Sequence, residues 1–481
     1  NVIGGDSSGD SWANAMTELS SALANADPST TEIWVASGTY KAGTSRTSSF
    51  NIGIDNLHLY GGFNGAETSI NQRNLPSNPT ILSGDLNDDD TGVGFSDATR
   101  NDNSYHVINL AGNNIIIDGF QINDGQANGS GTNAYGGAVL VESTLEDLIM
   151  RNCEFNNNIG LTGGAIRSYL NVSTSMSFEN CKFSNNMSRY GAGLYFLVND
   201  NRTVTLDIIN CLFDQNTTLD QSSSNKGYTG SGAWIRANGS GSNLTTRVAN
   251  CTFVNNLDRG TQSGSTRGPL ALGRRGDASS THNATVNNSI FYYNDSGTSG
   301  TMALMVNNGH TLNPNTIFVN NSISEDDFSN LIYLTNTNNA NPLFTDVNNN
   351  NFTLQAGSPA IDAGDNSLVP SGVVVDLLHN ARIYNTAVDM GVYEFGSATL
   401  GIDSNTFEVN DVKIYPNPTS SFLQIQMNGV LKYATIYSVL GIKVKEVKTN
   451  TINVSSLESG IYLIRVTNEN GQSFSKRFVK N

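Results

Sequence analysis

The chain has 481 residues, a formal net charge of −16 and only 14% charged residues, with 47 glycines. That length exceeds what one ordinary compact core organises, so several domains or a repeat architecture are expected. The negative charge argues against a nucleic-acid or anionic-membrane partner, and no apolar run is long enough to cross a bilayer as a helix.

Abundant Asn, Ser, Thr and Gly favour turns and strands over helices. No signal peptide precedes Asn1, which is read as the product of signal cleavage and so as the start of an exported chain. Residues 12–26 place Trp12, Ala15, Met16, Leu19, Ala22, Leu23 and Ala26 on one helical face, predicting a short N-terminal helix that caps the first layer of strands, beginning with Ile33, Trp34 and Val35. The acidic stretch from Asp85 to Asp90 sets oxygen ligands at alternate positions, as a calcium loop requires. Asp85, Asn87 and Asp89 would be its ligands, with Asp97 completing the set. The sixth and twelfth positions are Asp90 and Ser96 rather than glycine and an acid, so a solvated acidic turn is the alternative.

An internal repeat follows. Asn152-Cys153-Glu154-Phe155 recurs at Asn180-Cys181-Lys182-Phe183, Asn210-Cys211-Leu212-Phe213 and Asn250-Cys251-Thr252-Phe253, then as Asn288-Ser289-Ile290-Phe291. A second block, Gly136-Gly137-Ala138, returns at Gly163, Gly191 and Gly232 and keeps step with the first, so the longer periods are inserted loops. Short strands with alternate inward residues and Gly/Asn turns describe one coil of a parallel β-helix. Equivalent cysteines in stacked coils lie about 4.8 Å apart, beyond the reach of a disulfide, which predicts a buried thiol ladder. Glu154 and Lys182 point outward between the inward positions and are expected to form a cross-coil ion pair.

Between residues 226 and 275 the basic side chains are Lys226, Arg236, Arg247, Arg259, Arg267, Arg274 and Arg275, against the single acid Asp258. Lys226, Arg259, Arg267, Arg274 and Arg275, with Tyr228 and Trp234 as stacking faces, form a candidate site for an acidic glycan, because guanidinium groups take carboxylate or sulfate in bidentate fashion. The alternative is that these arginines lie on different faces. The sequence shows no catalytic constellation: the five histidines are scattered, lysines are scarce in the repeats, and no nucleophile motif is present. A non-enzymatic, adhesin-like or glycan-binding surface rod is therefore expected, with a polysaccharide lyase or hydrolase of acidic polysaccharide as the alternative.

From Lys413 to Asn481 nine basic residues face three acids, a net of +6, so the remainder carries −22. This reversal places domains at 1–395 and 412–481, with a linker at 396–411. Short alternating strands separated by turn signals near 428–429, 441 and 470–471 predict an immunoglobulin-like antiparallel β-sandwich for the tail.

The Gly-Gly-Ala and Asn-Cys-x-Phe blocks resemble repeats of chlamydial-type polymorphic outer membrane proteins. Residues 11–40, the block Leu354 to Asp365 and the block Asp389 to Glu394 resemble the choice-of-anchor β-helix proteins of Bacteroidetes. The resemblance implies an all-β chain led by a right-handed parallel β-helix; Asp389 to Phe395 itself reads as the closing strand of that helix. Asp376 to Arg382 stands where that family has Asp-Gly-Asn-Pro-Arg. In the tail, Tyr415-Pro416-Asn417-Pro418, Tyr437 to Gly441, Leu457 to Tyr462 and Lys476 to Lys480 are similar to the type A C-terminal sorting domain of type IX secretion substrates. This implies handling by the type IX translocon and its outer-membrane shuttle and attachment machinery, and an extracellular, cell-surface location.

Overall fold

The computed structural model describes residues 6–92, 94–219, 229–259, 267–274, 279–295, 304–308, 317–326, 328, 331, 333–397, 412–427, 430–438, 443–468 and 473–481. The chain divides into two compact units, Asn1–Leu400 and Gly401–Asn481.

In the first unit, among the described residues, parallel sheets of ten, nine, eight and five strands run along a stack of coils. One coil runs through Val139–Val141, Leu148–Arg151, Glu154–Asn156 and Ile159–Gly160, in the eight-, ten-, nine- and five-stranded sheets respectively, before Ile166–Leu170 opens the next. Pairing between coils is in register: Phe155 faces Phe183, and Phe183 faces Phe213. The unit is a right-handed parallel β-helix.

The repeated residues supply the corners and the interior. Asn152, Asn180, Asn210, Asn250 and Asn288 all have φ between 49° and 55°, a left-handed conformation that Asn tolerates better than most residues. Gly163 has φ +67°, and a Cβ on Gly164 would stand 2.5 Å from the Ala192 carbonyl oxygen, so the glycine pair serves both a left-handed turn and a close approach of coils. Inside, the rings of Phe155, Phe183, Phe213, Phe253 and Phe291 stack with centroids 4.5–4.8 Å apart.

A buried asparagine row, Asn158, Asn186, Asn216, Asn256 and Asn294, runs beside them. Asn216 Nδ2 donates to Asn256 Oδ1 at 2.9 Å and to the Phe183 carbonyl at 2.7 Å, while its Oδ1 accepts from the Asn186 backbone at 3.2 Å. The four cysteines are free and buried. The Cys211 N–H donates to Cys251 Sγ at 3.5 Å, and the Cys251 N–H to Ser289 Oγ at 3.2 Å, so serine continues the column by offering the same acceptor. Burial pushes the Cys153, Cys181 and Cys211 thiols well up.

At the N-terminus the expected helix is interrupted. Trp12–Asn14 forms a 3-10 turn and only Leu19–Asn25 is α-helical. Trp12 is drawn away from that helix by Phe63, 5.4 Å between rings, and its Nε1 donates to the Glu67 carbonyl at 2.8 Å. Leu19 and Leu23 still pack on the first coils.

After the antiparallel pair Phe344–Asp346 and Asn351–Leu354, the chain turns back over the outer face of the nine-stranded sheet. Leu212, Val254, Ile290 and Ile323 from that face form a second core with Phe352, Leu354, Leu377, Met390 and Val392. Asp389 to Phe395 is not the expected closing strand. Its backbone instead reaches Asn288 O from Gly391 N at 2.8 Å and Thr252 Oγ1 from Val392 N at 3.0 Å. The reason is a fully buried ion pair between Arg382 and Glu394 at 2.8 Å, around which the segment bends; Arg382 also donates to the carbonyls of Asp389 and Gly391.

The second unit holds a three-stranded antiparallel sheet, Val412–Tyr415, Phe422–Met427 and Thr451–Asn453, and a four-stranded one of Lys443–Val447, Leu431–Ser438, Gly460–Asn468 and Ser473–Lys480. Leu423, Ile425, Ile436, Ile452, Ile464 and Phe478 fill the space between them. The turn residues 428–429, 441 and 470–471 lie outside the described residues.

The asparagine row should matter more than the thiols. Asn216→Ala strands buried donors and acceptors on two neighbouring coils and is expected to cost about 2–4 kcal/mol, whereas Cys211→Ser keeps an acceptor in place and should cost less. Denaturant unfolding of both variants measures the difference.

Candidate functional site

On the strand Thr229–Ala237, Ala233, Ile235 and Ala237 enter the core, so Trp234 and Arg236 stand on the outer face of the eight-stranded sheet. Across the ladder Trp234 faces Tyr195, and Tyr195 faces Arg167. The Trp234 ring stacks on Tyr190 at 5.0 Å, meets Tyr195 edge-on at 5.0 Å, and carries the Arg236 guanidinium 4.6 Å from its centroid. Arg167 lies 4.8 Å from the Tyr135 ring and 5.1 Å from that of Tyr169. Burial pulls the Arg167 guanidinium below its usual value and raises the Tyr195 phenol to about 12, the two arginines opposing that rise. Arg167 Nε and Trp234 Nε1 are buried without a hydrogen-bond partner among the described residues. A guanidinium backed by aromatic rings is weakly hydrated and suits planar anions such as carboxylate or sulfate.

Of the residues anticipated from sequence, Trp234 lies in this cluster. Arg267 begins the next strand of the same sheet, opposite Thr229. Arg274 ends that strand and donates from Nη1 to the Ser280 carbonyl at 2.7 Å. Arg259 is exposed just beyond Leu257–Asp258 of the five-stranded sheet. Arg247 turns to the ten-stranded sheet, where it makes a bidentate pair with Asp207 at 3.1 and 2.6 Å. Lys226, Tyr228 and Arg275 lie outside the described residues. Arg167 and Tyr195 were not anticipated. Arg167 and Tyr195 each stand four residues after the first glycine of their block, Gly163 and Gly191; Trp234 stands four after Gly230, so aligning its block on Gly232 hid the shared register.

In the acidic loop, Asp85, Asp89 and Asp102 bring carboxylate oxygens within 4.8 Å of one another. Asp102, which also accepts from the Asn87 N–H at 3.0 Å, joins two of the anticipated ligands. Asp97 instead caps the 3-10 turn Ala98–Asp102, accepting from the Thr99 N–H at 3.0 Å. Part of the acidity is structural: Arg100, fully buried, is held by Asp90 at 2.9 Å and approaches Asp124 at 3.7 Å. Burial raises the Asp124 carboxyl to about 6 against the pull of Arg100. Asp85, Asp89 and Asp102 are the residues that could hold a hard, oxygen-seeking cation.

Comparison with known proteins settles the tail. Residues 413–481 match the family model of the secretion system C-terminal sorting domain. The tail is a type IX sorting domain. It marks the protein for export to the cell surface. An ulvan lyase of Nonlabens ulvanivorans is 29% identical over 111 residues, 22% of this chain and 20% of that protein. An endo-acting ulvan lyase of Formosa agariphila is 30% identical over 87 residues, 17% of each. The chain thus spans about a fifth of the length of these relatives. The pectate lyase Pel9A matches with a TM-score of 0.37 and 13% identity over 81% of this chain and 94% of that one. Among the described residues no helix is long and apolar enough to cross a membrane.

Deleting residues 413–481 should leave a cooperatively folded β-helix when the protein is made in the cytoplasm, and abolish its appearance on the surface of its own host. Surface labelling of truncated and full-length chains checks this; a truncated chain that still reached the surface would contradict it.

Proposed function

We propose that the β-helix is a surface module that binds an acidic polysaccharide through the outer face of its eight-stranded sheet. The observation that carries this reading is the placement of Arg236 over the buried Trp234 ring and of Arg167 against the Tyr135 and Tyr169 rings, two half-buried guanidinium groups on an aromatic bed in a chain of net charge −16. Opposite charge elsewhere does not cancel such a patch at contact, because the Debye length at physiological salt is about 8 Å. The surface location given by the sorting domain places this face where extracellular glycans are met. Calcium, in this proposal, is held by Asp85, Asp89 and Asp102.

Cleavage of an acidic polysaccharide is the second reading, and the two relatives named for ulvan lyase activity support it. Incubation with ulvan, pectate, alginate and chondroitin, with and without calcium, separates the two: binding without new chain ends supports the module, while unsaturated or reducing ends establish an enzyme.

Affinity for at least one acidic polymer should fall with rising salt and drop at least tenfold, about 1.4 kcal/mol, in the double variant Arg167→Gln, Arg236→Gln. Calorimetric titration measures both. Unchanged binding in that variant would move the site elsewhere. Titration with calcium alone should give one site, lost in Asp85→Asn and in Asp102→Asn and retained in Asp97→Asn; no heat from the unaltered protein would remove calcium from the proposal.

A further inference from the structure

Along the outer face of the nine-stranded sheet two columns of side chains change character from coil to coil. One runs Gln121, Glu154, Lys182, Leu212, Thr252 and Ile290; the other runs Asn123, Asn156, Ser184, Asp214, Val254 and Tyr292. The apolar later positions are sealed under the segment 344–395. The polar earlier positions are not, and at the seam a groove of about 310 Å³ opens. Its floor holds Glu154, Lys182 and Asp214, and its far wall Asn350, Phe352 and Tyr393.

We infer that this groove is a second binding site, built for an uncharged saccharide unit. Four observations support it. The first is Asp214. It is 4% exposed, accepts a short hydrogen bond from Ser184 Oγ, and sits where the next coil carries the apolar Val254. Packing alone would be served by an apolar residue there, since burying a carboxylate is costly; burial raises its carboxyl to about 6, with Ser184 and Lys182 opposing the rise. Buried ionisable groups lining a cleft are a mark of binding sites.

The second is charge. Lys182 is matched by Glu154 at 2.8 Å, which leaves Asp214 in excess, so uronate or sulfate is disfavoured here, in contrast to the arginine face. The third is the backbone. Each of these strands is paired on both sides, so an extended peptide has no free edge to join and recognition must run through side chains. The fourth is composition: carboxylate and amide groups that pair with vicinal hydroxyls line the groove beside Phe352 and Tyr393, whose rings are largely buried in the second core, in a volume at the lower end of small-ligand pockets. Asn350 on the wall is held in place by Gln215, whose Nε2 donates to its Oδ1 at 2.5 Å.

The test uses the full chain and an array of neutral oligosaccharides, namely glucans, xylans and mannans, beside uronate oligomers. At least one neutral oligosaccharide should bind, and its affinity should fall at least tenfold in Asp214→Val and in Asn350→Ala. Asp214→Val imitates the following coil, so its unfolding midpoint should be unchanged or raised, and its binding of acidic polymer unchanged. The Arg167→Gln, Arg236→Gln variant should retain the neutral ligand, which separates this site from the arginine face. Absence of any neutral ligand, equal binding by Asp214→Val, or loss of uronate binding in Asp214→Val would each overturn the inference.

Discussion

Parallel stacking in register governs this protein. Coils repeat at about 4.8 Å, so every inward side chain lies directly on its equivalent in the coils before and after. A column must therefore be compatible with itself. Phenylalanine satisfies this by stacking ring on ring, with interplanar angles of 16° or less along the row. Asparagine satisfies it because its amide carries both donor and acceptor, so each copy completes the next. Charge cannot repeat in this way: a column of like carboxylates would be destabilised by its own repulsion. The core columns are accordingly neutral, and Ser289 follows the cysteines without breaking the pattern because it keeps an acceptor toward the neighbouring N–H.

Outward columns are free of that constraint, and there the coils differ. In the eight-stranded sheet the same register position is Leu140, Arg167, Tyr195, Trp234 and Ala271 in successive coils. In the nine-stranded sheet the position is Glu154, Lys182, Leu212 and Thr252. The first sequence of residues builds a cationic and aromatic face; the second passes from a polar surface to the apolar bed on which residues 344–395 settle. The Arg382–Glu394 pair bends that segment to its place, and its complete burial means that removing either partner would leave an uncompensated charge in the interior.

The two compact units carry different tasks on opposite charge. The acidic β-helix carries the proposed recognition surfaces, and the basic sandwich is the sorting domain read by the export machinery. The sandwich owes its stability to its own core of aliphatic residues and Phe478.

The sequence alone determined the helix of parallel coils, because a column that must repeat in space also repeats in the chain: Asn152, Cys153 and Phe155 return at fixed offsets however long the loops between them. It also determined the sorting domain, whose motifs are local in the chain, and the Glu154–Lys182 pair, which follows from register. Only the tertiary structure decided which outward residues meet. Arg167 and Trp234 are 67 positions apart in the chain but share one column, and Asp85 reaches Asp102 rather than Asp97 because Asp97 is taken up in capping a turn. It decided too that Asp389 to Phe395 is bent rather than extended. Local sequence reports the alternation of strands; it does not report that a buried arginine 12 residues before Glu394 draws the chain out of that geometry.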